Sequence, residues 1–198
     1  IHVNLTKNII KACKKACVKK IVYISGLGVS KNNTSSYFVS KYKAEQEIIN
    51  SGLDYTIFRA SYIIGKKDYL TKFLSKQMEN GVIIIPGSGK YLIQPIFVDD
   101  VTKIILEAIV EKKFSNKIVD LVGPQKISFE DFVKLFAKNT KTKIQKVSLD
   151  DAYHEAKHNP RSVYGLETLN ILVGSYTSDA KRLEKLSNVK LTKISKML

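Results

Sequence analysis

Residues 20–60 read KIVYISGLGVSKNNTSSYFVSKYKAEQEIINSGLDYTIFRA, and this stretch decides the fold. It opens on an apolar, β-branched run from Lys20 to Ser25 that is strand-sized and reads as a buried strand. Gly26-Leu27-Gly28 then begins a polar loop through Asn32, Asn33, Thr34 and Ser35. Helical spacing of apolar residues follows from Ser36 to about Asn50, with Gly52 at the stop position. Asp54 to Arg59 is the next strand, and it runs into a loop around Gly65. Strand, helix and strand in this order make one βαβ unit, the repeating element of a parallel sheet.

The alternation continues on both sides. Periodicity predicts a helix from about Val3 to Val18 and another from Tyr69 to Asn80. Val82-Ile83-Ile84-Ile85 is strand-sized, Pro86-Gly87-Ser88-Gly89 turns the chain, and Tyr91 to Val98 is extended. Asp99 or Asp100 is expected to cap a helix reaching about Glu111, and Ile118 to Val122 is a further strand. After Gly123-Pro124, Ser128-Phe129-Glu130-Asp131 resembles a capping box that opens another helix. Beyond Lys143 to Leu149 the pattern is of short, lysine-rich helices, with no internal repeat or low-complexity linker. The fold class is therefore α/β, part of a doubly wound parallel sheet. Right-handed crossovers bring the strand ends to one edge, so Ser25, the loop after it, and Arg59 to Gly65 share the ligand-bearing side.

Composition narrows the classes. At 198 residues the chain is long enough to bury a core. No apolar run reaches bilayer-spanning length, and no basic-then-apolar signal pattern opens the chain, so a cytoplasmic protein is expected. The net charge of +15 is carried almost wholly by scattered lysines; only Arg59, Arg161 and Arg182 are arginine. Nucleic-acid binders cluster their basic residues and rely on arginine forks, so this charge reads as a solvated surface. Cys13 and Cys17, four apart, fall on one helix face with Ile9 and Ile10 and are expected to serve as small hydrophobes. His154-Glu155-Ala156-Lys157-His158 has literal zinc-helix spacing, but Lys157 precedes the second histidine and Asn159-Pro160 breaks the helix, which favours an exposed helix.

Tyr-x-x-x-Lys occurs three times: Tyr37/Lys41, Tyr62/Lys66 and Tyr153/Lys157. Tyr62/Lys66 spans Gly65 in a loop, and Tyr153/Lys157 follows no buried strand. Only Tyr37/Lys41 opens a long helix directly after an apolar strand ending in serine. On that helix Tyr37, Lys41, Ala44 and Ile48 form one stripe that can face a cleft, while Phe38, Tyr42 and Ile49 form another that packs on the sheet. Free tyrosine ionises near ~10, too high for a base at neutral pH, and an ammonium one turn away favours the phenolate. Such a pair can move a proton to or from a substrate oxygen, with Ser25 as the orienting hydroxyl.

The ordered segments Asn4 to Ile10, Lys20 to Ser25, Tyr37-x-x-x-Lys41-x-x-Ala44-Glu45, Phe58-Arg59 to Gly65, and Gln94 to Val101 resemble the extended or atypical short-chain dehydrogenase/reductases, the NAD-dependent epimerase/dehydratase group. With Val122-Gly123-Pro124 they look most like relatives of the complex I accessory NAD(P)H-binding subunit and NmrA-like proteins. The resemblance covers Val3 to about Leu135 and implies a Rossmann-type fold using NAD or NADP. It implies an oxidoreductase or epimerase acting on a small carbonyl or sugar-type substrate, or else a non-catalytic NAD(P)H-binding scaffold or redox-sensing subunit. Tyr37 is then the acid/base, Lys41 its partner and ribose ligand, and Ser25 the substrate-orienting hydroxyl. Arg59, Ala60, Ser61 and Ile63 line the nicotinamide side. Residues 1–65 and 91–122 make the cofactor domain, and 66–90 and 123–198 the substrate cap. A homodimer or a larger complex stays open.

Three departures from the family pattern matter. The family's assisting serine or threonine falls two residues beyond Ser25, where this chain has Leu27, and Ala60 stands where proline is frequent. The ten glycines never form the family's Gly-x-x-Gly-x-x-Gly turn, and the chain has no initiator Met. The expectation is a fragment or truncated product without its pyrophosphate seat, binding NAD(P) weakly or not at all on its own.

Overall fold

The computed structural model describes residues 2–198. In chain order the elements are α1 (His2–Lys15), β1 (Lys20–Gly26), α2 (Ser36–Ile49), β2 (Asp54–Ala60), β3 (Ile63–Ile64) and α3 (Tyr69–Glu79). Next come β4 (Val82–Pro86), β5 (Leu92–Ile93), β6 (Ile96–Phe97), α4 (Val98–Val110), β7 (Lys117–Leu121), β8 (Ile127–Ser128) and α5 (Phe129–Phe136). The chain finishes with β9 (Lys143–Val147), α6 (Leu149–His158), α7 (Leu166–Leu172) and α8 (Ala180–Leu186).

A parallel sheet of order β1-β2-β7 forms the centre. Its register pairs Gly26 with Ala60 and Ala60 with Leu121, so three strand ends meet on one edge. Period-2 alternation divides the apolar side chains between two faces. Ile21 and Tyr23 of β1 and Ile57 of β2 pack with Ile10 of α1 and Ile48 of α2. On the opposite face Val22, Phe58, Val119 and Leu121 meet Val101, Ile104 and Ala108 of α4. Each such side chain withdrawn from water contributes roughly 1.5–3 kcal/mol, so covering both faces is what holds three short strands together. The mixed α/β architecture with a parallel sheet is the one expected.

A second apolar cluster joins α3, β4, β5, α5 and α7 around Leu74, Ile83, Ile93, Phe129 and Leu169. Short ladders tie it together: β4 runs parallel to β9, β3 parallel to β6, and β5 antiparallel to β8. Leu183 of α8 and Leu191 return to the sheet side and pack with the α4 cluster.

Several local expectations change. The first helix stops at Lys15, not Val18, because Cys17 takes a left-handed conformation (φ 54°). The amide of Val18 donates to Cys13 O and that of Cys17 to Lys14 O, closing the helix end as a Schellman turn. Cys17 is consequently exposed and Cys13 half-buried, so the cysteines do not form the core stripe expected of them. Helix α4 is entered from Phe97, and neither Asp99 nor Asp100 is its cap. Asp100 is buried and accepts from the backbone N–H (2.6 Å) and hydroxyl (3.1 Å) of Thr192, a long-range demand that outweighs the local capping preference. Ser128 caps α5 as expected, accepting from the Asp131 amide. His154, Glu155 and His158 lie exposed on α6. On α2 the two stripes are not segregated as expected: Ala44 and Ile48 are fully buried, and Phe38 reaches the cleft described below.

Candidate functional site

The shared edge of β1 and β2 opens into a cavity of about 170 Å³. Gly26 and Leu27 enter from the end of β1, Tyr37 and Phe38 from the first turn of α2, and Ala60, Ser61 and Tyr62 from the end of β2. Leu92 and Ile93 of β5 and the segment from Ile171 to Tyr176 close the far side. Two backbone bonds fix the near wall: Leu27 N–H donates to Ala60 O (2.8 Å) and Ser61 N–H to Leu121 O (3.0 Å). None of the lining residues, among those described, carries a charge.

Tyr37 stands close over the strand end; a Cβ added at Gly26 would lie 3.4 Å from its phenol oxygen. Its ring meets Phe38 edge to face at 5.2 Å, and Phe38 meets Tyr176 at 4.9 Å, so an aromatic chain crosses from α2 to the far wall. The Tyr176 ring is held between Gly28 and Gly174, where a Cβ at either position would come within 2.5 Å of it. Gly28 also has φ +103°, so only glycine suits that place.

Lys41 follows one turn after Tyr37, and its ammonium donates to Ile24 O at 3.1 Å. That group lies 4.9 Å from the Tyr23 ring centre and 5.9 Å from that of Tyr37. Burial acts on both members of the pair: it pushes the Tyr37 phenol above its ordinary value and lowers the basicity of Lys41. The expected lowering of the tyrosine by its lysine is therefore not what dominates; desolvation outweighs an ammonium that is turned toward a backbone carbonyl.

The remaining predicted residues divide into wall and support. Ala60 and Ser61 line the cavity. Ser25 does not: it is 3% exposed and its hydroxyl has no hydrogen-bond partner. Ile63 pairs with Ile96 behind the wall. Arg59 is also behind it, donating through Nε (3.1 Å) and Nη2 (2.6 Å) to the two carboxylate oxygens of Glu45, which is fully buried on α2. This fork ties the Tyr37 helix to the strand that delivers Ala60 and Ser61.

Sequence reasoning missed Glu45 as that partner, Tyr62 and Tyr176 as wall, and Glu167 as a helix cap. An acid on the buried side of α2 preceding a lone strand arginine was a usable signal for the first. Tyr62 follows directly on Ser61. Nothing local marks Tyr176 or Glu167.

Residues 2–110 match the family described as NAD(P)H-binding. The chain belongs to that family. A curated relative, subunit 9 of the NADH dehydrogenase [ubiquinone] 1 alpha subcomplex, mitochondrial, from Mus musculus, is 28% identical over 135 residues, 68% of this chain and 36% of that protein. The chain thus spans little more than a third of that relative's length. Among solved structures, the NADPH-dependent quinone oxidoreductase of Escherichia coli complexed with NADPH matches with TM-score 0.76 and 22% identity, covering 96% of this chain and 68% of that one. The UDP-glucuronic acid 4-epimerase of Bacillus cereus, in complex with UDP-glucuronic acid and NAD, matches with TM-score 0.72 and 19% identity over 99% and 64%. These likenesses establish a Rossmann-type fold shared with NAD(P)-dependent epimerases and reductases. No helix among the described residues is long and apolar enough to cross a membrane.

The residues present suit one end of such a cofactor. An apolar cavity of about 150 Å³ takes a benzene, so the space beside Ala60 and Ser61 is of the size for a single uncharged ring. Among the described residues, the helix start that faces this cavity offers the phosphate end no free seat. Helix N-termini serve phosphates, but the start of α2, which faces this edge, is already filled by the carboxylate of Glu167.

Proposed function

We propose that the protein is an NAD(P)-dependent oxidoreductase of the epimerase/dehydratase type, acting on a small uncharged carbonyl compound through Tyr37 and Lys41. The observation that carries this reading is the cavity itself, which brings Tyr37 together with Ala60 and Ser61 from separate segments at the ends of parallel strands. Ligands of open α/β sheets bind at such strand ends. Between the two substrate classes implied by the resemblance, the lining favours the small carbonyl. A nucleotide sugar brings a diphosphate that needs cationic partners, and the wall offers none.

A bound nicotinamide would supply or accept the hydride. Ala60 and Ser61 would border its ring and Lys41 would hold its ribose hydroxyls, while the single-ring space beside Tyr37 would take the substrate carbonyl. Tyr37 acts on the substrate oxygen. With its phenol raised by burial it is protonated at neutral pH, so it serves first as an acid, giving its proton as a carbonyl becomes an alcohol. Reduction is the direction this arrangement favours. Leu27 occupies the wall where a hydroxyl would assist, and Ser61 supplies a hydroxyl-bearing side chain instead.

A second reading rests on that same Leu27 and on the partnerless, buried Ser25: an NAD(P)H-binding scaffold or redox-sensing subunit without turnover. We propose the division of residues 1–65 and 91–122 from 66–90 and 123–198 as cofactor and substrate parts, with Leu183 and Leu191 returning to the former. The free thiols of Cys13 and Cys17 fit a reducing compartment, the cytoplasm in this reading. Assay with NADPH against benzoquinones, aromatic aldehydes and nucleotide sugars decides between the readings. Reduction of the small carbonyls alone supports the proposal. Turnover of nucleotide sugars overturns its substrate class, and no turnover of any compound favours the scaffold.

A further inference from the structure

Helix α2 begins without a local side-chain cap. Ser35 occupies the capping position with an extended backbone, yet its side chain accepts no helix amide. The amide of Tyr37, two residues in, would have no partner within the helix. Its acceptor comes from far along the chain. Tyr37 N–H donates to Glu167 Oε1 at 2.7 Å, the Ser35 hydroxyl donates to the same oxygen at 2.7 Å, and the Ser36 hydroxyl donates to Oε2 at 2.9 Å. These partners lie 130 to 132 residues away in sequence.

Glu167 sits in the first turn of α7, and the far end of that helix delivers Leu172, Gly174 and Tyr176 to the cavity. One carboxylate therefore joins the segment that closes the cavity to the backbone of the residue proposed to do its chemistry. A negative charge is also well placed at a helix start, where the helix dipole attracts it. The hydrogen bonds from Ser35, Tyr37 and Ser36 hold the Glu167 carboxyl below the usual carboxylate range, so it is ionised at neutral pH.

We propose that Glu167 is the positioning residue for Tyr37: its carboxylate caps α2 from the helix that leads to the far wall, fixing the phenol over the strand end. The idea rests on the reading of Tyr37 as the acid, and its test keeps the two apart. Glu167→Ala removes both acceptor oxygens, and Glu167→Gln leaves one neutral acceptor for the Tyr37 amide.

Two measurements on the full chain decide it. Hydrogen exchange of the Tyr37 amide, followed in protein labelled with 15N-tyrosine, should be about ten- to a hundredfold faster in Glu167→Ala than in wild type, with Glu167→Gln between them. An unchanged exchange rate overturns the cap, whatever the protein catalyses. Carbonyl reduction with NADPH should lose about ten- to a hundredfold in kcat in Glu167→Ala with little change in KM, since misplacement of a reacting group by a fraction of its length acts on the chemical step. The same substitution in a Tyr37→Phe background should cost nothing further. A full additional loss there shows that Glu167 does not act through Tyr37. If Tyr37→Phe is itself as active as wild type, or nothing turns over, the reading of Tyr37 fails and the exchange rate alone judges the cap.

Discussion

Replacing Arg59 by Ala leaves the carboxylate of Glu45 buried without its partner, and that should be costly. Glu45 is fully buried, and both its oxygens are engaged by the guanidinium at 3.1 and 2.6 Å. Breaking a buried pair from one side costs about 3–5 kcal/mol, most of it from the charge left behind. The Arg59 side chain is 24% exposed, so water can partly replace it and the lower figure, about 3 kcal/mol, applies. At roughly 2–4 °C for each kcal/mol in a chain of this length, Tm should fall by about 6–12 °C. Thermal and denaturant unfolding of wild type and Arg59→Ala measure this directly. Replacing both partners, as Arg59→Met with Glu45→Leu, removes the charges together and should recover stability to within about 1 kcal/mol of wild type. A loss below about 1 kcal/mol in Arg59→Ala, or a double variant as unstable as the single one, would refute the argument. The pair would then be an incidental contact, and the tie between α2 and β2 would have to come from apolar packing alone.

Burial raises Tyr37, Tyr62, Tyr91 and Tyr164, and pushes Tyr23 up to about 12. Their contribution to stability is whole below the unfolded value near ~10 and is lost as pH climbs through the folded values. Phenolate absorbance should therefore show Tyr23 ionising at about 12 and the most buried rings only as the chain unfolds. All ten ionising together in the folded protein would contradict this. Gly28→Ala puts a Cβ 2.4 Å from the Tyr176 ring at φ +103°, so it should cost more than about 1 kcal/mol; changing Tyr176 to Ala as well should remove only the clash, and the backbone strain should remain as a measurable loss against Tyr176→Ala alone. With the start of α2 occupied by Glu167, NADH should bind this chain more weakly than micromolar; a micromolar Kd by nucleotide fluorescence would show a phosphate seat that this account lacks.

The sheet and the Tyr37 helix were legible because their signals are local. Ile21, Val22 and Tyr23 of β1 and Tyr55, Ile57 and Phe58 of β2 divide between two apolar clusters, although Ile24, read as part of a buried strand, is exposed, and α2 carries its apolar residues at helical spacing. Ala60 and Ser61 followed from parallel register, which must bring strand ends together. What escaped depends on distant partners or on burial. Asp100 is drawn to Thr192 rather than to its own helix start. Cys17 ends α1 in a conformation usually left to glycine, so the periodic pattern ran past the true end. The chemistry of Tyr37 was read from its lysine, whereas the cavity around it sets the direction of the shift. Glu167 and Tyr176 reach the site across more than a hundred residues, and no spacing rule joins them to Tyr37.

The central claim is that Tyr37 gives a proton to substrate in the cavity at the strand ends. It is tested most directly by the rate of carbonyl reduction in Tyr37→Phe, a substitution that keeps the ring and removes only the hydroxyl. At the highest NADPH concentration the assay tolerates, the account predicts a fall of about 10²–10⁴-fold in kcat with Tm unchanged. Equal rates in wild type and Tyr37→Phe would contradict it.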